Sequence, residues 1–238
     1  MKEMIRAGAV LAVALLAASC GPSSKKVIEK HRPAVEAKLA SLRAIGAQLD
    51  KEPRWPGAAF PPGGPPPEFG PSPGSVNAIV LEPDCFAFPE PRKFGFGLIE
   101  WNPLADPVDL LRYGVFNHSA RDGSAEAKAR FLEEFAGLKY ALVLHRYSVV
   151  DPEEKRGKLG STKTFRGGRC DGEAVLFDID RRVAIGGFPF AAGNSDDVFA
   201  STKNVEGGLI SDLVKNGRQA VNAEFLSRYP TSTPPFRR

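Results

Sequence analysis

Histidine, cysteine, methionine and tryptophan are scarce in this chain, and their scarcity limits the chemistry that the sequence can predict. The 238 residues include three Cys, three His, two Met and two Trp. No two of His31, His118 and His145 lie at the spacing of metal ligands, and no Cys adjoins any of them. The sequence therefore predicts no metal and no cofactor, and it favours a non-catalytic protein over an enzyme.

A charge excess of either sign is also lacking. Lys and Arg number 32 and Asp and Glu 28, so the formal net charge is only +4, which predicts no binding to nucleic acid. The one exception is the run 155–169, which has several Lys and Arg and no acidic residue. Such a run could contact anionic lipid headgroups, lipopolysaccharide or peptidoglycan carboxylates. A solvated loop between two strands is the simpler interpretation.

Long hydrophobic runs are absent as well. The uncharged apolar stretch 7–18 follows Lys2 and Arg6, and small residues come after it. A membrane-spanning helix needs about 20 apolar residues, so a run of about a dozen is too short to span. A cationic start, an apolar middle and a small-residue end are the layout of a secretory signal peptide.

The end of this signal, Leu16-Ala17-Ala18-Ser19-Cys20, resembles the lipobox of bacterial lipoproteins, although Ala17 stands where Leu is commonest. The resemblance implies cleavage after residue 19, a diacylglycerol on the Cys20 thiol and an acyl chain, typically palmitate, on the new amino group. Gly21 replaces the Asp that often retains such proteins in the inner membrane. The expected place is therefore the cell membrane or, with preference, the outer membrane, with the chain facing the periplasm or the exterior.

A location outside the cytoplasm makes a disulfide between the other two cysteines plausible. Cys85 and Cys170 would then form an even pair in an oxidising compartment, which favours a disulfide between them. Two buried thiols are the alternative that the sequence leaves open.

The chain after the signal divides by composition. Residues 20–53 are predicted to be a lipid-anchored segment with a helix at 33–49, whose apolar residues recur at helical spacing. Residues 54–75 hold eight Pro and five Gly and are interpreted as a linker that tethers the domain. Residues 76–230 are predicted to form the domain, and residues 231–238 a flexible tail.

Within 76–230 the pattern predicts an α+β fold, with an antiparallel sheet of about four to six strands and helices packed on one face. The sequence 173–180 and 182–190 indicates a β-hairpin that turns at Asp180. The other predicted strands are 76–82, 93–101 and 139–150, and 162–170 could add a further strand. The predicted helices are 106–116, 124–137 and one or two within 208–229.

One stretch invites a catalytic interpretation. AVLFDIDRRV, residues 174–183, resembles the first motif of haloacid-dehalogenase-like phosphotransferases, which would make Asp178 a nucleophile and Asp180 an acid/base. Arg181 and Arg182 depart from that motif, and the next apolar run follows at once. The hairpin is therefore the favoured interpretation.

Scattered polar residues are weaker candidates for a site. His118 lies in a polar stretch with Asp122, and Asp196 follows Ser195 in GNSDD, which a helix cap or Asx turn would also explain. The leading hypothesis is a lipid-anchored, non-catalytic accessory or binding module of the cell envelope, with membrane lipid and an envelope protein as partners. The alternatives are an extracytoplasmic enzyme around His118 and Asp122, and a structural component of a multiprotein envelope complex, which predicts that helix 33–49 exposes its apolar side.

Overall fold

The computed structural model describes residues 23–49, 66–69, 77–83, 124–155, 164–196, 198 and 205–236. Within them lie three helices and six strands: α1 (Ser24–Leu49), β1 (Ala78–Leu81), α2 (Ala125–Ala136), β2 (Tyr140–Val150), β3 (Glu153–Lys155), β4 (Thr164–Arg166), β5 (Arg169–Asp178), β6 (Val183–Gly193) and α3 (Val205–Arg228). The predicted α+β class is confirmed. The strand expected at 93–101 and the helix expected at 106–116 lie outside the described residues.

Four strands form the main sheet in the order β1-β2-β5-β6. The β2–β5 and β5–β6 pairs are antiparallel, as predicted, and β5 and β6 form the expected hairpin. The β1–β2 pair is parallel, which the sequence analysis did not predict. The reason is the connection, because α2 lies between these strands in the chain and a crossover of that kind joins parallel neighbours. The short strands β3 and β4 pair with each other as a separate antiparallel ribbon.

Helices cover both faces of this sheet, so the prediction that they pack on one face is wrong. On one face α1 and α2 pack on Ile79, Val143 and Phe177, whereas on the other α3 packs on Leu142, Leu176 and Phe188. The cause is visible in β5, where four consecutive residues from Ala174 to Phe177 are all at most 2% exposed. A strand that is apolar at every position needs cover on both sides, because successive side chains point to opposite faces.

Helix α1 is longer than the predicted 33–49 and contains Pro33. An interior Pro removes a backbone hydrogen bond and costs about 3 kcal/mol, which is why the sequence favoured a start at Pro33. Val27 and His31 are nevertheless buried, and they continue the spacing of Val35 and Leu39 along the same side of the helix. Tertiary packing of that side therefore outweighs the local preference.

Helix α2 agrees closely with its prediction, because its end signals are strong. The Ser124 hydroxyl accepts a hydrogen bond from the backbone N–H of Ala127, and Gly137 follows the last helical residue. Its side chains Leu132 and Phe135 are fully buried against α1 and the sheet.

Two segments that the sequence assigns to a linker and a flexible tail pack on the α3 side of the domain. The backbone N–H and hydroxyl of Thr233 both donate to the Glu68 carboxylate, and the Phe69 ring packs edge-on against Phe225 at 5.4 Å between centroids. The Phe236 side chain is 5% exposed, and both backbone polar groups of Phe236 bond to the Asn222 amide. Apolar burial and a specific amide pair thus fix residues 231–236 to the domain.

Candidate functional site

A cluster of polar side chains lies where β6 ends and α3 packs across it. The Asp212 carboxylate accepts hydrogen bonds from the Ser195 backbone N–H at 2.8 Å, the Ser195 hydroxyl at 3.0 Å and the Asn194 amide at 3.0 Å. The Asn216 amide, one helical turn beyond Asp212, donates to the Gly193 carbonyl and to the Ser195 hydroxyl. We call Asn194, Ser195, Asp212 and Asn216 the Asp212 cluster.

Opposing influences act on the pKa of the Asp212 carboxyl. Partial burial raises it, whereas the hydrogen bonds from Ser195 and Asn194 and the charge of Lys215 lower it. The net pKa lies below the ordinary value for Asp. Asp212 is therefore ionised at neutral pH and attracts the donors around it.

This arrangement suits hydrogen bonding better than catalysis. The Ser195 hydroxyl donates to Asp212, but a carboxylate with a lowered pKa is a weak base and activates a hydroxyl poorly. Asn194 also donates to the Leu209 carbonyl, so its side chain joins the loop after β6 to the first turns of α3. Asp196, a candidate from the sequence, is exposed at a bend beside the cluster.

The Asp212 cluster fixes the base of the β3–β4 ribbon. The Asn194 side-chain oxygen accepts a hydrogen bond from the Gly168 backbone N–H at 2.7 Å, and the Asn194 N–H donates to the Gly168 carbonyl. A Cβ atom at Gly168 would lie 2.7 Å from the Val150 carbonyl oxygen and 2.8 Å from a Leu213 methyl carbon. Only glycine therefore allows this close approach to β2 and α3. The basic run 155–169 begins in this ribbon and ends in β5.

A second polar group joins α1 to the β5–β6 turn. The Lys38 ammonium donates to the Leu138 carbonyl and to the Asp180 carboxylate, with 2.5 Å to the latter. The Lys38 side chain is 7% exposed, whereas that of Asp180 is 67% exposed. Arg182 completes the turn with a φ of 57°, while its side chain donates to Ser41 and its carbonyl accepts from Gln48.

These contacts bear on the phosphotransferase interpretation of residues 174–183. Asp178 accepts a hydrogen bond from the Arg181 backbone N–H, which is an ordinary turn contact, and Asp180 pairs with Lys38. Asp178 thus stabilises the hairpin turn from within and Asp180 holds it against α1, as the hairpin interpretation expects.

His31 is the buried histidine of the described chain. Its Nε2 atom makes no hydrogen bond and lies 3.6 Å from the Glu133 carboxylate of α2, which Lys30 also approaches at 3.9 Å. The pair spans the contact between α1 and α2. His145 lies on β2, where its side chain is partly buried.

Most site residues that the sequence nominates fall outside the described part of the chain. This applies to Cys20, Cys85, His118 and Asp122. Cys170 is fully buried in β5 on the α3 face. Because Cys85 lies outside the described residues, the disulfide between the two stays a prediction. Among the residues that the structure describes, no group of three His, Cys, Asp or Glu could hold a metal ion.

Asp212, Asn216 and Lys38 were missed by the sequence analysis. Lys38 follows Val35 by three residues and so shares its side of the helix, where a lysine by itself does not indicate a buried contact. The spacing of Asp212 and Asn216 was equally visible, but nothing in the sequence places them opposite Asn194. That contact depends on how α3 returns across β6.

Comparison with known proteins returns no relative: no family model, no curated protein and no solved structure matches this chain. Within the residues that the structure describes, no helix is long and apolar enough to cross a membrane.

Proposed function

We propose that this chain is a lipid-anchored protein of the bacterial cell envelope whose α+β domain is a non-catalytic accessory or binding module. The observation that carries the proposal is the sequence Leu16–Cys20 behind a cationic start and a short apolar run. Two or three acyl chains at one residue would hold the protein stably, since a single chain binds a bilayer only reversibly.

The chemistry of the described domain supports a non-catalytic role. The Asp212 carboxylate and the Lys38 ammonium each make several hydrogen bonds, and all of the cited bonds go to other parts of the same chain. These contacts stabilise the fold. The apolar side of α1, which a structural component of a larger complex would expose, is buried at Val35, Leu42 and Ile45.

Lipidation can be tested by labelling cells with radioactive palmitate and by mass spectrometry of the purified protein. The wild type should incorporate the label, and its first residue should be a lipid-modified Cys20. Cys20→Ser should incorporate none, while Cys85→Ala, the matched control, should be labelled like the wild type. An unmodified Cys20 on a wild-type chain that retains residues 1–19 would overturn the proposal.

A further inference from the structure

Helix α1 begins very close to the lipidation site in the chain. Ser24 is its first residue, and Val27 is already 4% exposed in the core beneath it. Only residues 21–23 separate Cys20 from the helix. An extended chain spans at most about 3.6 Å per residue, so Cys20 lies within about 14 Å of Ser24.

The Pro/Gly-rich stretch 54–75 therefore cannot be a spacer between lipid and domain. It follows α1 in the chain, and α1 packs in the same core as β1, β2 and β5. The stretch instead connects two elements of one folded unit. A lipid on Cys20 would thus bring the folded domain to the bilayer surface.

The end of α1 that faces this short connection is basic. Residues 24–32 hold four Lys or Arg and one Glu, and the first turn has no acidic residue. Lys25 and Lys26 are exposed, and Lys30 has a side chain that is 73% exposed, with Glu133 at 3.9 Å. We call Lys25, Lys26 and Lys30 the basic end of α1.

Lysine in the first turn opposes the helix macrodipole, whose positive pole lies at that end. This placement is unfavourable for the helix by itself. Anionic headgroups would make it favourable, because each Lys near such a surface is attracted by about 1 kcal/mol within a Debye length of about 8 Å. The short connection from Cys20 keeps the first turn close to that layer.

We infer that the basic end of α1 lies on the anionic phospholipid headgroups of the leaflet that holds the Cys20 lipid. The domain is then held against the membrane with α1 pointing its N-terminus at the lipid. This inference rests on the lipidation proposed above, and it adds the surface of the domain that the membrane covers.

Amine acetylation of the lipidated full-length protein tests the inference. The protein is placed in vesicles of phosphatidylcholine with phosphatidylglycerol, or in neutral detergent, and each Lys is followed by mass spectrometry. In the vesicles Lys25 and Lys26 should react about tenfold more slowly than in detergent. Lys215, which is exposed on α3, is the internal reference and should react equally in both.

The outcomes separate the two proposals. A lipid-modified Cys20 with Lys25 and Lys26 as reactive in vesicles as in detergent overturns the inference and leaves the proposed function standing. A bare Cys20 in the same spectrum overturns both.

A pair of double variants checks that charge is the cause. K25E/K26E should make Lys30 about fivefold more reactive in the vesicles, because the attraction of the first turn is lost. R43E/R181E changes the charge equally at exposed positions, and Arg43 lies about 27 Å further along α1 than Lys25. This control should leave the reactivity of Lys30 in the vesicles unchanged. Equal Lys30 reactivity in both double variants contradicts a role for the basic end.

Discussion

The polar contacts that join the helices to the two faces of the sheet differ greatly in their separation along the sequence. On the α1 face, Lys38 reaches the Leu138 carbonyl and Asp180, which are 100 and 142 residues away in the sequence. On the α3 face, the partners of Asn194 and Ser195 on α3 are 15 to 21 residues away. Helix α1 is therefore joined to the sheet by long-range polar contacts and helix α3 by shorter-range ones, although Thr233 on the α3 side also reaches Glu68, 165 residues away.

This difference shows that α1 and α3 are held on the sheet in different ways. Closing a short loop costs less chain entropy than closing a long one, so α3 can be placed by several modest hydrogen bonds near its start. Helix α1 joins the sheet from a distant part of the chain and relies on a continuous apolar side. The buried Lys38 ammonium adds one specific contact that ties this side to the β5–β6 turn.

The largest expected loss of stability comes from creating a cavity in the core on either face of the sheet. Phe135 and Phe225 are fully buried on opposite faces, so Phe135→Ala and Phe225→Ala should each lower the free energy of unfolding by about 3–5 kcal/mol. Val183→Ala, at a position that is 40% exposed, is the control and should change it by less than about 0.5 kcal/mol. Urea denaturation measures both. Two separate transitions in either Phe variant would show that the faces do not fold together.

The long-range contact of the α1 face is tested by Asp180→Ala. The variant leaves the buried Lys38 ammonium with the Leu138 carbonyl alone, which should cost about 2 kcal/mol, near the lower end for a charged hydrogen bond because Asp180 is 67% exposed. Asp171→Ala breaks the solvent-exposed pair with Arg169 and should cost less than about 1 kcal/mol. Equal losses in the two variants, by urea denaturation, would mean that burial of Lys38 contributes nothing.

The local contacts of the α3 face depend on Gly168. A Cβ atom there meets the Val150 carbonyl and Leu213, so Gly168→Ala should destabilise the protein by about 1–3 kcal/mol. At Gly167 a Cβ atom would meet only the Asn194 Cβ at 3.7 Å, so Gly167→Ala should be neutral or stabilising by about 0.5 kcal/mol. Thermal unfolding distinguishes them, and a Gly168→Ala protein as stable as wild type would contradict the close packing.

The smallest expected effect is a pH dependence of the stability that comes from Asp212. Its pKa is lowered in the fold, so its contribution to stability is present above about pH 4, the ordinary range for Asp, and is lost as pH falls through the folded value. Asp212→Asn should cost about 1 kcal/mol at pH 7, discounted for solvent screening, and the difference from wild type should shrink towards pH 2. Asp196→Asn, at the exposed neighbouring position, is the control. A difference that stays constant with pH would refute the role of the Asp212 charge.

Predictions from local signals agreed best with the structure. Ser124 and Gly137 bound α2, and the turn at Asp180 joins β5 and β6, because caps and turns act over a few residues. The start of α1 and the packing of residues 231–236 were not predicted. Val27 and Phe236 are placed by contacts with elements far away in the sequence, which periodicity over a short window cannot reveal.

The candidate site shows the same division. Asp196 and Ser195 stood out because they share one short motif, yet the residue that organises this region is Asp212, on a different element. Lys38 was not singled out in the sequence, although it lies three residues after Val35 on the buried side of α1. Its partner Asp180 could be found only once the β5–β6 turn lay beside α1.

The amino-acid sequence alone determined the α+β class, the bounds of α2, the β5–β6 hairpin and the lipobox-like motif at Cys20, because each depends on neighbouring residues. Only the tertiary structure decided that helices cover both faces, that β1 pairs in parallel with β2, and that α1 belongs to the domain. Those features arise from burial of apolar surface and from contacts between distant parts of the chain, and their free energy is gained only when the whole domain folds.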